Sequence, residues 1–169
     1  YWQAIDITPL ASRMVVIDLL SLTRALLSPA DKIAWLAVLR APFCGLSLGD
    51  LLTVANSAKT DDENRYQQNN AILAPLIELL NTPDSSPSLS QHGKQSLRRI
   101  IPLLEGAWQN RGRANLRATV EQLWIDLGGP ATLVDSADLS DARSYLDLLE
   151  NCQTGATLTD WNSFKLAVD

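Results

Sequence analysis

Residues 12–54 read SRMVVIDLLSLTRALLSPADKIAWLAVLRAPFCGLSLGDLLTV, and this stretch decides the fold. Val15, Leu19, Leu22 and Leu26 recur at the spacing of one helix face, and Val16, Leu20 and Leu27 widen the stripe toward full burial. That pattern predicts a central helix, stopped by Pro29. Asp31 falls in the first turn of the next helix, whose Ile33, Leu36, Val38 and Leu39 are expected to pack inward before Pro42 closes it. Ser47 then reads as an N-cap with Asp50 three residues on, a variant of the capping box, leading into Leu51, Leu52 and Val54.

The same period continues along the chain. Ala71 to Leu80 makes a fourth, short helix, and the run NTPDSSPSLS over 81–90 is too polar to bury a face and reads as an exposed loop. Leu97, Ile100, Ile101, Leu104 and Trp108 mark a fifth helix from Lys94, with an interruption and kink expected at Pro102. Leu116, Val120, Leu123, Trp124 and Leu127 mark a sixth, ended by Gly128-Gly129-Pro130. Leu139, Ala142, Leu146 and Leu149 mark a seventh, and an eighth starts at Thr159. Trp35, Trp108 and Trp124 lie on these stripes and belong to the core. Residues 2–7, WQAIDI, are instead β-branched and aromatic and run into Pro9, which predicts an extended segment, with Trp2 as an interface residue. The fold class is therefore all-α, a single irregular bundle of about seven or eight helices. Residues 1–10 form an extended lead-in, and 11–169 the helical domain.

At 169 residues and 46% hydrophobic, the chain can bury one core of ordinary size. Cys44 and Cys152 are distant and read as small buried hydrophobes. There is no cationic leader and no apolar run of about 18 residues, so the expected setting is reduced and cytoplasmic, with no membrane partner. The start at Tyr1-Trp2 without an initiator Met reads as a piece of a longer chain.

Catalytic signatures are missing from the residues. The one Gly-Lys pair, Gly93-Lys94, is followed by Gln95 and has Ser88 where a phosphate loop needs its first glycine. No Asp or Glu stands two residues before a Lys, as a PD-(D/E)xK nuclease requires. The lone histidine, His92, lacks metal-ligand companions and is taken as an exposed side chain.

The order Arg13, Asp18-Leu19, Pro29-Ala30-Asp31 and Leu39-Arg40-Ala41-Pro42-Phe43-Cys44-Gly45-Leu46-Ser47 resembles the start of the inserted 2B subdomain of UvrD/Rep-type superfamily 1 DNA helicases. In that family an Arg and an apolar, Asp-bearing helix lead to a Pro-Asp turn, a second helix, and a Pro-x-x-Gly-Ile-Gly turn that starts a third. The run LLxPADxxAWLAxLRAPxCGL is closest to the helicase-nuclease branch, the exonuclease V beta-subunit-like and AddA-like double-strand-break repair proteins. The resemblance implies an accessory domain that guides duplex DNA or contacts partners. It also implies motor subdomains elsewhere in the parent chain, where ATP and Mg²⁺ would act, and a partner nuclease or helicase subunit. The fragment itself is expected to hold no cofactor or metal and to have no catalytic residue. The second reading is a stand-alone α-helical protein-interaction module with no nucleic-acid role.

Two places are candidates for DNA. Net charge is −5, against a general nucleic-acid coat, but Lys94, Arg98, Arg99, Arg111, Arg113 and Arg117 fall in one stretch opposed only by Glu105. Such an edge either tracks phosphates weakly and without sequence preference, or is an ordinary solvated face. The turn Gly45-Leu46-Ser47 matches the family's Gly-Ile-Gly with Ser in place of the second glycine, so it either meets a phosphate at a helix N-terminus or simply caps that helix.

Overall fold

The computed structural model describes residues 9–57, 73–81 and 89–168. Among these residues there are eight α-helices: α1 (Met14–Leu27), α2 (Lys32–Arg40), α3 (Leu48–Ser57), α4 (Leu73–Asn81), α5 (Gln91–Gln109), α6 (Leu116–Asp126), α7 (Ser136–Cys152) and α8 (Trp161–Val168). Short 3-10 turns lie at Leu10–Ser12 and Gly129–Thr132. The strands among the described residues, Gln153–Thr154 and Thr157–Leu158, pair as one small antiparallel hairpin. The architecture is the all-α bundle that the stripes predict. Four readings fall wholly or partly outside the described residues: the extended segment and Trp2 within 1–8, the fourth helix's start at Ala71, and the exposed loop over 81–90, of which the described part differs, since Asn81 ends α4 and Leu89 is buried. No helix among the described residues is long and apolar enough to cross a membrane.

The central helix is α1. Val16, Leu19, Leu22 and Ala25 are wholly buried, and the helix packs against α2, α6 and α7. Burying each of its large aliphatic side chains is worth about 1.5–3 kcal/mol before entropy. Two polar ties fix its register on α7. Thr23 Oγ1 donates to the Leu19 carbonyl at 2.8 Å, so the buried Tyr145 phenol donates to Thr23 Oγ1 at 2.7 Å. Arg13 meets Asp141 at 2.7 Å.

The Pro29-Ala30-Asp31 turn is held from both sides. Asp31 Oδ1 accepts from Ala34 N at 3.0 Å as the N-cap of α2, its Oδ2 takes Arg24 Nε at 2.5 Å, and Trp35 Nε1 donates to the Pro29 carbonyl at 3.0 Å. The inward expectation for Ile33 is corrected here, and Leu52 on α3 also faces out. Ile33 is 75% exposed and Leu52 63%, with Ala34 and Trp35 in α2, and Asp50 and Thr53 in α3, taking the inward places. At about 100° per residue, Ile33 lies opposite the centre of the Ala34, Trp35, Val38 and Leu39 face, and Leu52 opposite Asp50, Leu51, Thr53 and Val54.

Pro102 does not interrupt α5, which runs on from Gln91 to Gln109. Both Pro102 and Arg98, whose carbonyl loses its usual i+4 donor, are exposed, so water can serve that carbonyl. At the start of α6, Asn115 Oδ1 accepts from Ala118 N at 2.8 Å, Gln153 Oε1 from Arg117 N at 2.8 Å, and the Gly155 carbonyl from Leu116 N at 3.0 Å. The small hairpin thus caps α6 from a distance in sequence, satisfying donors that a helix start leaves open.

Candidate nucleic-acid interface

The Pro42–Ser47 turn is built by α2. Cys44 N and Gly45 N donate to the Ala41 carbonyl at 2.9 and 2.8 Å, and Leu46 N reaches back to the Leu39 carbonyl at 3.0 Å. Gly45 takes φ +70°, a conformation that costs glycine little and other residues more. These amides are spent inside the turn and are not aimed at a ligand.

At the far side of the turn, two helix starts share one carboxylate. Asp50, 2% exposed, accepts from Ser47 Oγ at 2.7 Å, from Ser90 N at 2.6 Å and from Ser90 Oγ at 2.8 Å. Each serine hydroxyl also accepts from its own helix, Ser47 from Asp50 N at 3.2 Å and Ser90 from Gly93 N at 2.9 Å. Ser47 and Ser90 are thus the N-caps of α3 and α5, bridged by Asp50. Burial alone would raise this carboxyl, but the hydrogen bonds from Ser90 and Ser47 outweigh it and hold it below the ordinary carboxylate range. Gly93 is required by the same contact, since a Cβ there would stand 2.6 Å from Asp50 Cγ. The dipoles of both helix starts are therefore met by an internal anion. The structure places Ser47 as a helix cap, with its hydroxyl engaged on both sides.

The basic residues are brought only partly together. Arg99 is a brace: its guanidinium donates to the Phe43 carbonyl at 2.5 Å and to the Leu127 carbonyl at 2.9 Å, tying the turn and the end of α6 to α5. Arg117 pairs with Glu121 at 2.7 Å and stands 4.0 Å from Glu150, so it too serves the fold. Arg111 lies 3.7 Å over the Trp108 ring, and Arg113 donates to Asn110 Oδ1 at 3.0 Å. Arg98 is exposed on α5 and Lys94 half-buried one turn earlier. Arg99, Arg111 and Arg113 line three different concavities, of about 330, 340 and 440 Å³. Arg98, Arg99, Arg111 and Arg113 are all exposed, but Arg99 is engaged by two carbonyls, which leaves Arg98 along α5 and Arg111 with Arg113 at the α5–α6 turn as the exposed cations of this stretch with no carbonyl or acid partner among the described residues.

His92 is exposed beside Gly45, as expected. Beneath the turn, burial pushes the Cys44 thiol up to about 12, against the pull of Arg99 and with Asp18 adding to the rise, so it is inert as a nucleophile. Burial raises the Asp18 carboxyl to about 6, opposed by Arg40. The arrangement can hold and orient; its buried thiol and internal carboxylate are not placed to react. The sequence reading missed the Asp50–Ser90–Gly93 contact, although Ser90, three residues before a glycine and just ahead of an apolar stripe, carried an N-cap signal.

No protein family, curated protein or solved structure matches this chain.

Proposed function

We propose that this chain is the accessory, 2B-like domain of an ATP-dependent DNA helicase-nuclease of double-strand-break repair, and that it guides duplex DNA or contacts partner subdomains while ATP turnover occurs elsewhere in the parent chain. The observation that carries the reading is the run from Arg13 to Ser47, which resembles that subdomain in order and spacing and here forms consecutive packed helices α1, α2 and α3 joined by the Pro29–Asp31 and Pro42–Ser47 turns. Support for a DNA role lies in Lys94, Arg98, Arg111 and Arg113, cations left without an acid partner among the described residues. Arg99 and Arg117 have internal duties instead. The partners of this reading are DNA, the motor subdomains and a nuclease or helicase subunit.

The test is anisotropy with a labelled forked duplex across a salt series. Wild type should bind weakly and without sequence preference, and Lys94→Ala with Arg98→Ala should flatten the slope of log affinity against log salt by about 0.9 per phosphate contact removed. No binding at low salt, or an unchanged slope in this variant and in Arg111→Ala/Arg113→Ala, would sink the reading. The alternative, a protein-interaction module, is favoured by one observation, the apolar groove between α5 and α6.

A further inference from the structure

The groove between α5 and α6 encloses about 440 Å³. Its floor is apolar, with Leu103 and Leu123, and the small residues Gly106 of α5 and Ala118 of α6 line it from the two helices. A Cβ built at Gly106 meets nothing within 4 Å, so the groove is open where the helix is thinnest. One charge stands at each end: Arg113 where α6 is about to start, and Asp126 where it finishes. Arg113 gives one amino group to Asn110 and Asp126 takes Gln122 Nε2 on Oδ1 at 2.8 Å, leaving the rest of each charged group for an incoming partner.

We propose that this groove receives one amphipathic helix of a partner protein, about three turns long, acidic in its first turn and basic in its last, lying parallel to α6. The walls decide that the occupant is helical. Both are α-helices whose backbone groups are bonded internally apart from the single Arg98 carbonyl freed by Pro102, so they offer no strand edge to an extended peptide, whose own N–H and C=O groups would go unpaired over the apolar floor. A helix arrives with those groups satisfied, and the missing side chain at Gly106 lets it come close. The length follows from the α6 wall, which spans about 15 Å from Leu116 to Asp126 at 1.5 Å per residue. The direction follows from charge. Helices favour acids at their N-terminal turn and bases at their C-terminal turn, and only the orientation parallel to α6 puts the acid on Arg113 and the base on Asp126. The proposal does not depend on the DNA reading, and its test uses no nucleic acid.

The test uses two synthetic peptides of equal composition, each stapled to equal helicity, with Leu and Ala at i, i+3, i+4 and i+7. One carries Glu first and Lys last, the other the reverse. In anisotropy with the whole chain, the Glu-first peptide should bind about ten-fold more tightly, since reversing the peptide turns two attractive pairs at exposed residues into two like-charge contacts. Gly106→Leu should cost at least that factor while leaving the folded helix content intact. Arg113→Glu combined with Asp126→Lys should invert the preference between the peptides. Equal binding of the two peptides, no saturable binding, or affinity untouched by Gly106→Leu would overturn the proposal. So would a concentration-dependent dimer that Gly106→Leu abolishes, because a second copy of this chain would then be the occupant.

Discussion

The bridge at Asp50 makes a quantitative prediction about two residues that are far apart in sequence. Replacing Asp50 by Ala removes an acceptor of three hydrogen bonds, from Ser47 Oγ, Ser90 N and Ser90 Oγ. A bond to a charged group is worth about 1.5–3 kcal/mol net, but Ser47 and Ser90 keep their own helix-capping bonds and water can reach exposed Ser90. The expected loss is therefore about 3 kcal/mol, well below the sum of three bonds. Gly93→Ala should also destabilise. Alanine in a helix gains about 1 kcal/mol over glycine, but its Cβ would sit 2.6 Å from Asp50 Cγ, and an overpacked contact of this kind costs about 3 kcal/mol. With Asp50 already Ala the obstructing carboxylate is gone, and Gly93→Ala should turn neutral or stabilise by up to about 1 kcal/mol. Urea unfolding of the four proteins, followed by circular dichroism, gives the coupling, expected at about 2–3 kcal/mol. The pH dependence has a definite sign. The folded carboxyl titrates below its unfolded value, so its stabilisation is complete above about pH 4 and is lost as pH falls through the depressed value. The gap between wild type and Asp50→Asn should be flat at neutral pH and close in acid. Additive effects of Asp50→Ala and Gly93→Ala, or a gap that widens in acid, would refute the reasoning.

Three further outcomes are expected. Asp18 is the opposite case: its carboxyl rises from 3.8 to about 6 through burial, so its contribution is full below the unfolded value and lost as pH climbs through about 6. Asp18→Asn should then raise urea stability above pH 7 by up to about 1 kcal/mol, a figure reduced for partial exposure, with the difference vanishing near pH 4; a difference constant with pH would contradict it. Tyr145→Phe deletes the donor to Thr23 while leaving Thr23 bonded to Leu19, and should cost about 1 kcal/mol in chemical unfolding, with a much larger loss pointing to a repacked core. Isothermal calorimetry with Mg-ATP should give no binding heat, because Ser88 stands where a phosphate loop needs glycine; stoichiometric binding would remove the basis for placing the motor elsewhere.

Much of the fold is legible in local sequence, and the reason is geometric. A helix face is set by residues three and four apart, so Val16, Leu19 and Leu22, or Leu97, Ile100 and Leu104, declare their burial without knowledge of a neighbour. The stops at Pro29 and Pro42 and the left-handed Gly128 act within one turn, through a missing N–H or a positive φ of 86°. Local reading fails where a short helix offers two apolar directions. Ile33 and Leu52 are as hydrophobic as their neighbours, and only the position of the remaining helices leaves them in solvent.

The candidate site was written in sequence as a list of charges, but its division of labour was decided by contacts between distant segments. Arg98 and Arg99 are adjacent, chemically identical and both exposed, yet a step of about 100° around α5 brings only Arg99 within reach of the Phe43 and Leu127 carbonyls. Arg117 belongs to the basic stretch by sequence, but Glu121 one turn on pairs it at 2.7 Å, a local contact, and α7 adds Glu150 at 4.0 Å. Ser47 carried a cap signal on its own, but the sharing of its acid with Ser90 needs α3 and α5 to start at the same point in space. Sequence alone determined which segments are helices and, for the longer ones, which face each hides, because those follow from covalent geometry and nearest-turn sterics. Tertiary structure decided which polar groups meet, because a hydrogen bond or ion pair needs placement to within a few tenths of an ångström, and that precision arises only when the helices have packed.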